Sequence, residues 1–135
     1  MYTFILVMPM SAVPTCACDL LKSVGPVRSE PGGRYIVEGE FRREDGWIGI
    51  TRDDSIYLDY DADEINKIGL LIENPAFFIV EGSLGNKMYQ NQLLNSLPID
   101  ARYLIDNDHG SIMDVPSYQN ALLNGVDWLH TFIIK

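Results

Sequence analysis

Positive charge is scarce in this chain. Its 135 residues hold 10 Lys and Arg against 19 Asp and Glu, a net charge of −9. DNA, RNA and anionic lipid are normally held by Lys and Arg, so this balance argues against all three as ligands. Cysteine is nearly absent: only Cys16 and Cys18 occur. If their segment is helical, residues two apart point about 200° from each other around the axis, which disfavours an internal disulfide. We expect core thiols in a reducing compartment, and no metal, since C-x-C has no second Cys or His pair beside it. No serine lies in a G-x-S-x-G setting. Gly32-Gly33 and Gly82-x-x-Gly85 lack the Lys-Ser/Thr of a phosphate-binding loop. Long apolar runs are missing too. Residues 2–10 are apolar but far too short to span a bilayer, and no Lys or Arg precedes them as in a secretory signal. The expectation is a buried first strand in a cytoplasmic protein.

What is present reads as one α+β domain over residues 1–135, with no internal repeat, low-complexity tract or linker. The hydrophobic fraction of 47% argues against disorder. Residues 2–8 suit a strand covered on both faces. Ala17, Leu20, Leu21 and Val24 follow helical spacing, so a helix is expected over 14–24 and a loop over 25–33, where glycine and proline gather. Tyr35, Val37, Gly39 and Phe41 alternate with polar neighbours, residues 47–51 return after Glu44-Asp45-Gly46, and Ile56, Leu58 and Tyr60 alternate again. These segments read as a three-strand antiparallel meander.

Residues 61–74 are ambiguous: Asp61 or Asp63 could cap a short helix carrying Ile65 and Ile68, which Gly69 would interrupt. Residues 76–80 read as a central strand and 85–96 as a helix. Residues 102–105 and 111–115 then flank a turn as a hairpin, Pro116 opens a last helix, and Trp128 to Ile134 form an apolar tail. The fold class is therefore α+β, a mainly antiparallel sheet containing the meander and packed with two or three helices.

Two places carry chemistry. Asp106-Asn107-Asp108-His109-Gly110 collects carboxylates and an imidazole, enough in principle for a small hydrolase or a metal site. It fails as a calcium loop, because no liganding Glu follows at the required spacing, and Asp, Asn and Gly are what a tight turn selects on backbone grounds. His130 has only Asp127 near it and reads as a surface residue. The second place is the stretch between Arg52 and Lys67, where Asp53, Asp54, Asp59, Asp61, Asp63 and Glu64 occur without a base. Tyr57 and Tyr60 interleave with Asp59 and Asp61, which inverts the basic-aromatic pattern of a nucleic-acid binder. Such a surface attracts a basic partner and can imitate the phosphates that a basic cleft grips, with tyrosines as anchors.

The second half of the chain resembles immunity proteins of bacterial contact-dependent growth inhibition and related polymorphic toxin systems. The carrying residues are Phe77-Phe78-Ile79-Val80-Glu81-Gly82, Leu93-Leu94-Asn95-Ser96-Leu97-Pro98, Tyr103-Leu104-Ile105-Asp106-Asn107-Asp108-His109-Gly110 and Gly125-Val126-Asp127-Trp128-Leu129. The resemblance implies a cytoplasmic antitoxin without catalytic residues, cofactor or metal, a monomer that pairs with one cognate toxin carboxy-terminal domain. Under that implication Asp106 to Gly110 is a fold-defining turn. The toxin-binding residues expected from the first half are Asp53, Asp54, Tyr57, Asp59, Tyr60, Asp61, Asp63 and Glu64, and a basic nuclease would fit them. The alternatives are a hydrolase or metal-binding protein using Asp106, Asp108 and His109, or an adaptor that self-associates through Ile48 and Ile50.

Overall fold

The apolar run Phe4-Ile5-Leu6-Val7-Met8 is buried along its whole length, because the strand that contains it, β1 (Tyr2–Pro9), has packed layers on both sides. The computed structural model describes residues 2–38, 46–83, 88–97, 102–106 and 112–123. Within them, β2 (Arg28–Glu30), β3 (Arg34–Glu38), β4 (Trp47–Arg52), β5 (Pro75–Gly82), β6 (Leu104–Asp106) and β7 (Ile112–Asp114) join β1. The seven strands form one sheet in the order β2-β3-β4-β5-β1-β6-β7. Every pairing is antiparallel. The fold is α+β with a mainly antiparallel sheet, and β5, read as central from its unbroken apolar run, holds the middle place.

Alternation sorts the side chains to two faces. Phe4, Leu6, Met8, Ile48, Ile50, Phe78 and Val80 point to the larger core. A short 3-10 segment (Ala17–Leu21) and the helices α2 (Met88–Ser96) and α3 (Val115–Leu123) lie on that side. Leu21, Leu93, Leu94 and Tyr118 are their buried contributions. The hydroxyl of buried Tyr118 accepts from Gln90 Nε2 at 3.1 Å, so two polar groups sealed in the core satisfy one another. Ile5, Val7, Phe77 and Leu104 face the other way, under a 3-10 segment (Asp54–Asp59) and α1 (Ala62–Leu71), which add Ile56 and Ile68.

The meander exists, but its strands are β2, β3 and β4. Residues 25–33, expected as a loop, contain the edge strand β2, and the return to β3 runs through Gly32 and Gly33 at φ 86° and 82°. Those angles strain any residue with a Cβ. Residues 54–59, expected as the third strand, are 3-10 instead. Asp53 and Asp54 explain this: the Asp53 carboxylate accepts from the Ser55 N–H at 3.1 Å, and Asp54 Oδ1 accepts from the Phe77 N–H at 3.1 Å. Short acidic side chains thus take backbone donors that a continuing ladder would have used. Ile48 and Ile50, the expected contacts of a self-associating face, are fully buried. That version of the adaptor reading loses its surface.

The helix expected over 14–24 is also shorter, reduced to Ala17–Leu21, although Ala17, Leu20 and Val24 do pack inward. Cys16 is extended, at φ −120° and ψ 129°, and the turn begins only after it. The helical argument against a bridge therefore does not apply, and Cys16 and Cys18 form a disulfide with their Cα atoms 5.2 Å apart. Residues 39–45 and the expected turn 107–110 lie outside the described residues. So do Pro98, His130 and the apolar tail. The hairpin strands on either side of residues 107–110 do pair, as β6 and β7.

Candidate functional site

Asp61 starts α1. Its carboxylate accepts from the Glu64 N–H at 2.8 Å, and Glu64 Oε1 accepts from the Asp61 N–H at 3.1 Å, a reciprocal capping box. The sequence Asp61-x-x-Glu64 is the signature of that arrangement, and it resolves the ambiguous segment as a helix running through Gly69. A mid-helix glycine costs about 1 kcal/mol relative to alanine. Nothing lies within 4 Å of a Cβ built on Gly69, so packing does not require glycine there.

The 3-10 segment and α1 lean over β1, β5 and β6 and leave a hollow of about 400 Å³ between them. Asp53, Asp59 and Glu64 line it from the covering elements, with Tyr60. Thr3, Ile5 and Ile79 come up from the sheet. Asp106 is the fourth carboxylate. The register Ile5↔Asp106 and Val7↔Leu104 sets Asp106 on the α1 face, one step beyond the buried Leu104. Asp106 is only 7% exposed and Tyr60 donates its hydroxyl to Asp106 Oδ2 at 2.8 Å, so the carboxylate is held, not loose. The Tyr60 ring also stacks obliquely on Phe77, with centroids 5.9 Å apart.

On the far side of Tyr60 lies a second, smaller hollow of about 150 Å³. Its walls are Tyr57, Ile65, Ile68, Pro75 and Phe77, and Gly69 stands at its edge. Tyr57 is 47% exposed. Leu58 and Leu70, on the same two elements, are exposed as well.

The eight expected binding residues divide by use. Asp59, Glu64, Asp53 and Tyr60 converge on the acidic hollow, and Tyr57 with Tyr60 on the apolar one. Asp63 is exposed in the first turn of α1. Asp54 is committed elsewhere, to the Phe77 amide and to an ion pair with Arg52 at 3.0 Å. Of the trio considered for hydrolysis, Asp106 faces the acidic hollow, while Asp108 and His109 lie outside the described residues. Among the described residues no group of three or more His, Cys, Asp or Glu is placed to hold a metal ion.

The chain matches no protein-family model, no curated protein and no solved structure to which it was compared. Function must therefore be argued from the site itself. Its chemistry is that of an acceptor: carboxylates and a tyrosine around a concave floor, with an apolar recess alongside. It suits a cationic, hydrogen-bond-donating group. The sequence flagged the acids but not Thr3, Ile5, Ile79 or Gly69. The odd-numbered residues of β1 carried a signal for the floor, since every second one faces α1 once β1 has a layer on each side. Among the described residues no helix is long and apolar enough to cross a membrane.

Proposed function

We propose that the chain is an immunity protein that binds one cognate toxin domain, basic and of the nuclease class, and holds it inactive through the acid-lined face. On this reading it has no catalytic step and no cofactor, works in the cytoplasm, and acts as one copy per toxin. The observation that carries the reading is that Asp53, Asp59, Glu64 and Asp106 converge on one hollow that, among the described residues, no Lys or Arg lines. Carboxylates in a concave, partly apolar site focus the field outward and raise encounter rates with a basic surface. The net charge of −9 acts in the same direction. Asp59, Asp61 and Asp63 are exposed around this region, where rim charges steer docking. The resemblance of residues 76–129 to immunity proteins supports the same class. In a reducing cytoplasm the Cys16–Cys18 bridge would be open, and neither residue lines the acidic hollow.

The test is a toxicity rescue. The carboxy-terminal domain of the protein encoded immediately upstream is induced in a naive host, with and without this chain. Growth arrest reversed only by this chain supports the reading, and arrest that persists beside it overturns the reading for that pair. Asp59→Lys/Asp63→Lys then tests the electrostatics, because neither carboxylate caps a helix. The double variant is expected to slow association about tenfold at low salt and to flatten its salt dependence.

A further inference from the structure

The apolar hollow and the acidic hollow share one wall, Tyr60. Tyr60 is fixed at both ends, by its hydroxyl bond to Asp106 and by its ring contact with Phe77, so the two recesses keep a set spacing. The apolar one is walled by Tyr57, Ile65, Ile68 and Phe77. At about 150 Å³ it matches the size of cavity known to accept a benzene ring. Its edge at Gly69 is open, since no atom lies within 4 Å of where a Cβ would stand.

We propose that these two hollows are one two-part docking site for a polypeptide segment that presents an aromatic or large aliphatic side chain next to an arginine or lysine. The apolar side chain enters beside Gly69, and the cationic group passes Tyr60 to reach Asp59, Glu64 and Asp53. Charge complementarity selects this occupant. Among the described residues the recess that borders the apolar hollow is lined by Asp53, Asp59 and Glu64, beside the Tyr60-bonded Asp106, and by no Lys or Arg. A neutral apolar segment would leave the first three carboxylates unanswered, and an acidic one would be repelled. An apolar anchor seated in a pocket with a charged neighbour at its rim is also the usual composition of an energetic centre in an interface. The inference rests on the reading of the chain as the neutraliser of a basic protein, and it specifies what that protein presents.

The test uses the full chain, labelled with 15N, and N-acetyl-Arg-Trp-amide as the probe, with N-acetyl-Glu-Trp-amide and N-acetyl-Arg-Gly-amide as comparisons. Saturable shifts are expected at the amides of Tyr57, Tyr60, Glu64 and Gly69 with the first peptide. Each comparison peptide should bind about tenfold more weakly, having lost one of the two contacts. Gly69→Phe fills the apolar hollow from its open edge and should lose the Arg-Trp response. Gly69→Ala, which adds only the Cβ, should keep it and serves as the folded reference, and Gly69→Leu repeats the block with a smaller side chain. Absence of saturable shifts at these amides overturns the proposal, as does equal binding by Gly69→Phe, Gly69→Leu and Gly69→Ala. The outcomes separate the two readings. Peptide binding at Gly69 without toxin rescue would sink the immunity function alone. Rescue by wild type and Gly69→Phe alike, with equal affinity for the toxin domain, would sink the two-part site alone.

Discussion

Toward the β2 edge of the sheet, Glu30, Glu38 and Glu81 sit among the guanidinium groups of Arg28 and Arg34. Beyond β5 on the same face, Asp53, Asp59, Asp61, Asp63 and Glu64 have no Lys or Arg in contact among the described residues. The first group comes close to neutral, with two guanidinium groups among three carboxylates, each of them paired. Arg34 lies across Gly49, bonds Glu30 at 2.8 Å and Glu81 at 3.5 Å, and stands 5.1 Å from the centre of the Trp47 ring. Arg28 closes the group by pairing with Glu38. The second group uses carboxylates mainly against backbone N–H donors, in the caps at Asp53 and Asp61, and leaves the rest of their charge facing outward. The same residue types therefore do two jobs. At one end they pair across a sheet edge, and at the other they cap helices and leave charge exposed.

Breaking the neutral end should have the largest effect. Arg34→Met removes two ion pairs and the ring contact, and leaves two carboxylates facing each other across the strands. Such partly exposed groups typically contribute about 1–2 kcal/mol together, which urea unfolding should resolve as a lower midpoint at unchanged slope. Binding of the proposed toxin partner should be untouched. If Arg34→Met unfolds like wild type, the Arg-centred group contributes nothing and the contrast between the ends is one of charge alone.

Within the acidic end, two acids only two positions apart should behave differently. Asp61→Ala removes the capping box and should destabilise by about 1 kcal/mol. Asp63→Ala, with no backbone donor to satisfy, should change stability little. Equal effects would show that the charge near the helix start matters and the cap geometry does not.

That difference also marks how much was legible in the sequence. The period-two runs at residues 35–38 and 47–51 and the unbroken apolar runs of β1 and β5 announced the sheet, because a buried strand leaves a pattern that few other structures share. The acids of 53–64 were legible as a group. Their division into caps and free charge was not, since Asp53-Asp54-Ser55 reads equally as a turn between strands, and only the Phe77 amide decides that the chain leaves the sheet there. Residues 56–60 alternated well enough to mimic a strand, yet Leu58 is 77% exposed and only Ile56 is buried. Arg28-Ser29-Glu30 hid the edge strand β2 because it carries no apolar residue. Asp106 was visible as a candidate, but its meeting with Tyr60, 46 positions away, is a product of strand order. The Cys16–Cys18 bridge is not legible from helical spacing, because Cys16 is extended and the turn begins only at Ala17, three residues after the expected helix start.

A smaller effect should come from neutralising the free acids. Asp59→Asn/Asp63→Asn removes two like charges from a chain of net charge −9 and leaves the Asp61–Glu64 capping box intact. Stability should rise slightly, within about 0.5 kcal/mol, and most at low salt, where self-repulsion is least screened. Binding of a basic partner should weaken in the same variant. A gain in stability paired with a loss in association is the signature expected of charge kept for a partner. Loss of both would mean that these carboxylates belong to the fold.

The smallest effect sharpens the comparison from the neutral end, through pH. The hydrogen bond from Arg34 holds the Glu30 carboxyl below its ordinary range, helped by the charges of Arg34 and Arg28 and opposed by partial desolvation. A carboxyl whose pKa is depressed on folding binds protons more readily in the unfolded chain. Its contribution is therefore present in full above the unfolded value, near 4.5, and is lost as pH falls through the folded value. Glu30→Gln should therefore lower stability slightly near neutrality, where that contribution is present, and shallow the acid limb below about pH 4.5. Asp114, held low mainly by hydrogen bonds from the Ser117 side chain and backbone N–H at the start of α3, has the same sign. It must remain intact in the experiment, so that the remaining acid slope is assigned correctly. A 13C titration of the Glu30 carboxyl in wild type and Arg34→Met then isolates the cause. Its midpoint should rise in the variant if the guanidinium holds it down, and a midpoint that stays put would transfer the cause to Arg28 and weaken the case that Arg34 organises the neutral end.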